Sequence, residues 1–272
     1  MLNVILPIVN MGSSDTHSWD AQTYDKVSTR VQLRWGRKLL DKRKWNGNEI
    51  VMDAGAGSGN LTRILADKVP NGQIYAVDSD LSMIEQAKIN LSDCSNVQII
   101  HSSMDDVKLQ TKVDLIFSNA ALHWILDQHK ILSYFWQLLK PNGELLIECG
   151  GHGNLEKILS LIFKIMQSDQ FKAYFAGWKQ PWFFPRPEST KSLLRDIGFR
   201  DIQVYLSDET MVYPDLESFM LFVKTVIMKP FADHLGNSKK DQFFEAFLNE
   251  IKLHSKNDWV LDYVRLDISA RK

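Results

Sequence analysis

Val51-Met52-Asp53-Ala54-Gly55-Ala56-Gly57-Ser58-Gly59-Asn60 is the stretch on which the fold turns. A short β-rich run ends near an acid, crosses three glycines at alternate positions and enters a segment of helical character. Glycines at a strand-to-helix turn let a ligand approach the main chain where a Cβ would collide. The dinucleotide fingerprint G-x-G-x-x-G needs glycine at its third position, and Asn60 stands there instead. Asp53 sharpens the distinction, because a carboxylate beside the loop repels a pyrophosphate and attracts a cation.

Outward from this turn, Glu49 to Glu148 alternates β-rich runs with helical segments, the pattern of parallel strands joined by crossover helices. Strands are predicted from Ile50 to Asp53, Gln73 to Asp78, Val97 to His101, Val113 to Ser118 and Glu144 to Glu148. Helices are predicted from Asn60 to Lys68, Ser82 to Leu91 and Ile131 to Leu139. The last stops at Lys140-Pro141-Asn142-Gly143, where Pro and Gly cannot extend it. Later helical segments cover Leu155 to Met166, Thr190 to Ile197, Leu216 to Met228 and Lys240 to Leu253. Alternating runs from Asp201 to Tyr213 and Leu261 to Ala270 read as two further strands. A helical stretch from His17 to Lys44 precedes the core. The expected architecture is an α/β, doubly wound, mostly parallel seven-stranded sheet in one domain spanning residues 1–272. Its core is residues 45–150 plus the two late strands, and residues 15–44, 154–187 and 215–255 form a helical lid. Ligands bind such sheets beyond the carboxyl ends of the strands.

Three consecutive predicted strands end in acids. Asp53 closes the first. Asp78 closes the second, 21 residues after Gly57, close to the spacing at which an acid reaches ribose hydroxyls. Asp80 is the alternative, further out and placed to cap the next helix. After the third strand, Met104 can pack on a ring face while Asp105 accepts from an exocyclic amine, with Asp106 as the alternative acceptor. A ligand carrying an ammonium and a sulfonium beside an adenosine suits this set, and S-adenosylmethionine is such a ligand. The fourth strand leaves through Ser118-Asn119-Ala120-Ala121-Leu122-His123-Trp124, placing His123 and Trp124 to face an acceptor, or to serve as packed core residues.

Composition bounds the alternatives. Thirty-two basic and 33 acidic residues among 272 leave no excess charge for a phosphate backbone or an anionic membrane, so no nucleic-acid partner is expected. Two cysteines, Cys94 and Cys149, are too few for a disulfide scaffold or a closed zinc site and read as buried thiols. The apolar run Met1 to Val9 is too short to span a bilayer and lacks a basic leader, so a cytoplasmic, metal-free protein is expected.

Asp53 to Gly59, Asp78, Met104-Asp105, Ser118 to Trp124 and Leu139 to Gly143 resemble, in order, the motifs of class I S-adenosylmethionine-dependent methyltransferases, whose fold is Rossmann-like. Trp19, Tyr24 and Gln32, with Val223 to Leu235 and Arg265 to Arg271, are similar to the trans-aconitate methyltransferase branch. Malonyl-carrier-protein methyltransferases share the Tyr24 and Gln32 pattern. Residues 154–187, where acceptor contacts are expected, depart from the branch. The resemblance implies cofactor contacts from Tyr24, Gln32, Asp53, Ala54, Gly55, Gly57, Asp78, Ser79, Met83, Met104, Asp105, Asn119, Ala120 and Trp124, with S-adenosylhomocysteine as product.

Methyl transfer from a sulfonium is an in-line displacement in which the protein positions the acceptor and excludes water. A carboxylate acceptor is already anionic. An alcohol or amine needs a base, for which His123 and Tyr24 are the candidates. With no plain catalytic dyad in the chain, a small-molecule carboxylate is the expected acceptor. Trp178-Lys179-Gln180-Pro181-Trp182-Phe183-Phe184-Pro185-Arg186 can line an apolar acceptor pocket through Trp124, Trp178 and Trp182, with Arg186 or Lys179 pairing an anion, or can pack as a lid. Arg265 is a further anion-binding candidate. The alternatives are a malonyl-carrier-protein or other natural-product methyltransferase, a noncatalytic cofactor-binding regulatory subunit, and an RNA or protein methyltransferase. No Asn/Asp-Pro-Pro-Tyr-type tetrapeptide follows the fourth strand.

Overall fold

The computed structural model describes residues 33–254 and 258–272. Seven strands, β1 Ile50–Ala54, β2 Gln73–Asp78, β3 Val97–His101, β4 Val113–Asn119, β5 Leu139–Gly150, β6 Arg200–Val212 and β7 Val260–Arg271, form one sheet in the order β3-β2-β1-β4-β5-β7-β6. The first five are parallel, and β7 is antiparallel to both β5 and β6. The strand order reverses between β1 and β4, which leaves a crevice at their carboxyl ends.

Alternation along the strands divides the core. Met52, Val77 and Ile116 face one side, beneath α4 (Gln128–Leu138) and α6 (Pro187–Ile197). Val51, Ile74, Leu115 and Phe117 face the other, packed with Leu39 and Leu40 of the helical residues 33–40 (α1) and Leu65 of α2 (Asn60–Lys68). Both faces are covered, so β1 and β4 read as nearly continuous apolar runs. α3 (Leu81–Asn90) starts where the Asp80 side chain accepts from the Met83 N–H at 3.0 Å, and Asp127 caps α4 through the Lys130 N–H in the same way.

Beyond β5 a third apolar cluster gathers α5 (Glu156–Met166), α7 (Leu216–Phe222), α8 (Lys229–Leu235) and α9 (Lys240–His254) around Phe171, Phe231, Phe243 and Phe247. The single helix expected from Leu216 to Met228 is instead α7 running into a π-helical turn at Val223–Ile227. A separate α8 follows, with Pro230 in its first turn, where a missing N–H costs nothing. α6 likewise begins at Pro187, earlier than the expected Thr190.

The fifth strand starts at Leu139, not Glu144. Val113 pairs with Leu139 and Leu115 with Glu144, so residues 140–143 bulge out of the ladder. Main-chain bonds from Lys272 N–H to the Gly143 carbonyl (2.9 Å) and from Asn142 N–H to the Lys272 carbonyl (3.2 Å) hold the bulge. Asn142 takes φ +65°, a conformation asparagine tolerates. Both cysteines are free; Cys149 is buried, whereas Cys94 is only half-buried, contrary to expectation. No described helix is long and apolar enough to cross a membrane.

Candidate active site

The carboxyl ends of β1, β2 and β4, with the turn after β3, open on one cleft of about 730 Å³, within the range of small-molecule sites. Its floor is the glycine turn. Gly55 has φ +79°, and a Cβ there would lie 2.3 Å from the Ala121 Cβ. Gly57 has φ +55°, and nothing lies within 4 Å of where its Cβ would stand. The first glycine lets two loops touch, and the second leaves open volume on the cleft wall.

Two carboxylates flank this floor. Asp53 is 2% exposed, and its Oδ2 accepts from the Thr62 hydroxyl at 2.7 Å. Burial pushes its carboxyl up to about 7; the Thr62 bond opposes the rise and the Asp78 charge adds to it. Asp78 Oδ2 accepts from the Gly57 N–H at 2.8 Å and Oδ1 from the Asp80 N–H at 2.9 Å. Burial raises its carboxyl pKa as well, against those main-chain bonds. Among the described residues no lysine or arginine forms an ion pair with either acid. Each oxygen retains a second lone-pair site for a ligand.

Of the residues expected at the cofactor, Asp53, Gly55, Gly57, Asp78, Ser79, Met83, Met104, Asp105, Asn119, Ala120 and Trp124 all line the cleft. Asn119 is buried with an unpartnered Oδ1, and Ala120 has φ +57°. Ala54 stands behind the wall, fully buried, its carbonyl accepting from the Ser118 hydroxyl at 2.7 Å. Asp105 bonds Ser103 and, at 2.9 Å, Lys130. Burial works upward on its carboxyl, but these two bonds outweigh it and hold the pKa below its ordinary value. Asp80 lines the cleft and caps α3, while Asp106 is exposed and pairs with Lys108. Tyr24, Gln32 and Trp19 lie outside the described residues.

The acceptor-side residues are placed differently. His123 does not line this cleft; its ring packs between Trp124 and Phe184, at centroid distances of 5.2 and 5.8 Å. Its Nδ1 accepts from the Gly150 N–H at 3.4 Å. Burial, reinforced by the nearby Arg265 charge, pushes its pKa down to about 3, so the imidazole is neutral at physiological pH. Trp178 stacks on Phe231 at 5.0 Å and the buried Trp182 meets Trp124 edge-on at 6.1 Å, both within the third apolar cluster. Arg186 and Lys179 are exposed, and of their stretch only Pro181 reaches the cleft. Arg265, which alternation alone could have left in solvent, is 3% exposed and paired with Glu148.

Several wall residues carry no sequence motif, among them Leu61, Ser103, Ile125, Leu126 and Lys130. Residues 125–127 directly follow Trp124, so extending that loop would have found them. Lys130 arrives through the first turn of α4 and has no such signal. Among the described residues no cluster of His, Cys, Asp and Glu could hold a metal ion.

The cleft suits S-adenosylmethionine: the buried Asp53 and half-buried Asp78, with no basic partner among the described residues, match a cation, the free Asn119 oxygen offers an acceptor, and Gly57 leaves room beside the main chain. A glycine-floored cleft of this kind on a 3-2-1-4-5-7-6 sheet defines the class I S-adenosylmethionine-dependent methyltransferases. The chain belongs to the methyltransferase-domain family, whose model matches residues 46–182. It is 32% identical over 143 residues to malonyl-[acyl-carrier protein] O-methyltransferase of Priestia megaterium, covering 52% of each chain. It is 23% identical over 258 residues to trans-aconitate 2-methyltransferase of Enterobacter sp., covering 93% of this chain and 98% of that one. The crystal structure of YcgJ from Bacillus subtilis superposes with a TM-score of 0.62 at 12% identity, over 88% of this chain and 98% of that one.

Proposed function

We propose that this protein transfers the methyl group of S-adenosylmethionine to an oxygen of a small-molecule carboxylate, with residues 1–272 acting as one domain whose helical segments form a lid. The observation that carries the cofactor side is the pair Asp53, buried, and Asp78, half-buried, at adjacent strand ends with no basic partner among the described residues. Charges so placed are unfavourable alone and favourable against a cationic ligand. In this reading Asp78 and Ser79 receive the ribose, Met83, Met104 and Asp105 the adenine, and Asp53, Asn119, Ala120 and Trp124 the methionine portion. The family resemblance assigns Tyr24 and Gln32, outside the described residues, to the methionine portion as well.

When bound, S-adenosylmethionine supplies an electrophilic methyl on a sulfonium, and S-adenosylhomocysteine remains after transfer. The chain's own work is positioning and exclusion of water. A neutral His123 with a pKa near 3 is too weak a base to deprotonate an alcohol at neutral pH, which favours an acceptor that arrives ionised. Trp124 and Trp182 border the apolar part of such an acceptor.

Full-length alignment with trans-aconitate 2-methyltransferase supports a second reading, in which trans-aconitate itself is the acceptor. The apolar surroundings of Trp124 favour an acid with a hydrophobic portion. Calorimetry with S-adenosylmethionine and S-adenosylhomocysteine tests the cofactor side. Methyl-transfer assays comparing fatty and aromatic acids with trans-aconitate test the acceptor, and a preference for trans-aconitate selects the second reading. Cofactor binding with no turnover on any acid would favour a noncatalytic subunit.

A further inference from the structure

Next to the cleft, three neighbouring strands carry buried polar groups that are only partly satisfied. Asn119 of β4 and Glu148 of β5 are in register, and Arg265 of β7 pairs with Gly150, two residues beyond Glu148. They are 8%, 3% and 3% exposed. Asn119 Oδ1, Glu148 Oε2 and Arg265 Nη2 have no hydrogen-bond partner. Arg265 Nε donates to Glu148 Oε1, and the guanidinium lies over the Trp35 ring at 4.5 Å. Glu148 thus holds the guanidinium in place while engaging only one of its five N–H donors.

His123 reaches this edge through its bond from the Gly150 N–H, and Trp182 adjoins it through Phe184, whose ring lies against Gly150. Trp182 is 5% exposed, and its indole N–H has no partner. A buried indole N–H usually finds one. Because His123 Nδ1 accepts from Gly150, the ring proton sits on Nε2. His123, Trp124, Trp182 and Phe184 close a circuit of ring contacts at 5.2, 6.1, 6.3 and 5.8 Å. Trp124 is shared between this circuit and the cofactor cleft. A junction holding unsatisfied N–H donors so close to the cleft is costly when empty and suits an anionic ligand.

The geometry points to Arg265 as the acceptor-binding residue: its free guanidinium nitrogen, with the Trp182 and His123 N–H groups, receives the carboxylate of the methyl acceptor beside Trp124. This rests on the carboxylate O-methyltransferase reading above and adds to it the residue that selects an anion. Arg265 suits the task because its charge persists at every physiological pH and its planar donors match a carboxylate. The exposed Arg186 and Lys179 then have no part in anion selection.

The test is calorimetric titration of the full chain saturated with S-adenosylhomocysteine, with decanoate and trans-aconitate as the two probes. The wild-type complex binds at least one of them. Arg265→Met combined with Glu148→Leu removes both members of the pair, so no buried charge is left unmatched. That variant loses affinity for the acid by about 30-fold or more, while its affinity for S-adenosylhomocysteine stays within about threefold. Arg265→Lys keeps the charge without the planar fork and weakens the acid by about tenfold.

The assignment is overturned if the double variant binds S-adenosylhomocysteine normally and the acid as well as wild type does. It is also overturned if neither acid binds the wild-type complex. Should the double variant fail to fold, unchanged acid affinity in Arg265→Lys overturns it. Failure of wild type to bind S-adenosylhomocysteine would instead remove the cofactor reading, an outcome separable from all of these.

Discussion

Asp78, at the end of β2, accepts a hydrogen bond from the main-chain N–H of Gly57 at 2.8 Å, across 21 residues of chain. That one contact ties the glycine turn to the neighbouring strand and fixes the carboxylate that stands over it. Gly57 has φ +55°, so the turn conformation that aims its N–H at Asp78 is one that few other residues adopt without strain. The acid and the glycine therefore form a single device.

Replacing Asp78 by asparagine keeps the shape but removes the charge that receives hydroxyl donors. Affinity for S-adenosylhomocysteine is expected to fall by about 10- to 100-fold, the usual worth of hydrogen bonds to a charged group. Titration calorimetry on wild type and variant measures this, and an unchanged Kd would remove Asp78 from the site.

The Asp53 carboxyl, pushed up to about 7 by burial, must lose its proton to face a cation. Affinity for S-adenosylmethionine therefore rises as pH increases through 7, by about tenfold between pH 6 and pH 8 if one proton is released. Stability runs the other way. The folded pKa lies above the unfolded value, so the folded form holds the proton more tightly; the contribution is full below pH 4 and is lost as pH rises to 7. Its upper bound is about 4 kcal/mol. Binding isotherms and thermal melts from pH 4 to 8 check both slopes, each of which should flatten in Asp53→Asn.

Gly57→Ala places a methyl group on the cleft wall and forces alanine into a left-handed conformation. The strain costs about 1–2 kcal/mol of stability. Cofactor affinity should fall further, by at least about tenfold, because the methyl occupies space a ligand needs. Chemical denaturation and calorimetry separate the two effects, and a loss of stability with full affinity would place the ligand elsewhere.

Phe231 is fully buried and touches Trp178 and Trp182 at centroid distances of 5.0 and 5.6 Å. Phe231→Ala should destabilise the protein by about 3–5 kcal/mol through the cavity it leaves. Affinity for S-adenosylhomocysteine per folded molecule should stay within about threefold, since Phe231 is not on the cleft wall. Denaturant melts paired with calorimetry read both quantities. A marked loss of affinity would show that the aromatic cluster and the cofactor cleft are coupled.

The residues that line the cleft were legible where they sit at the ends of strands the sequence marks plainly. Asp53, Asp78, Met104-Asp105 and Asn119 to Trp124 each follow a β-rich run, and a parallel sheet brings successive strand ends to one edge. The surroundings of the aromatic run were not legible in this way. The aromatic run 178–186 has the composition of a pocket, yet Trp178 and Trp182 are held by Phe231 and its neighbours, and Arg186 is exposed. Composition alone cannot tell an aromatic that lines a cavity from one that fills it.

What the sequence by itself determined is local: which runs become strands, where Pro141 and Gly143 end a helix, and which acids and glycines stand at strand ends. These follow from side-chain period and backbone freedom over a few residues. Only the tertiary structure decided that Arg265 is buried against Glu148 rather than solvated, and that His123 is a neutral acceptor behind Trp124. Both outcomes depend on burial and on partners supplied by other strands, 117 residues away for Arg265 and 27 for His123. Desolvation is a property of the packed chain, and no local pattern of residue types encodes it.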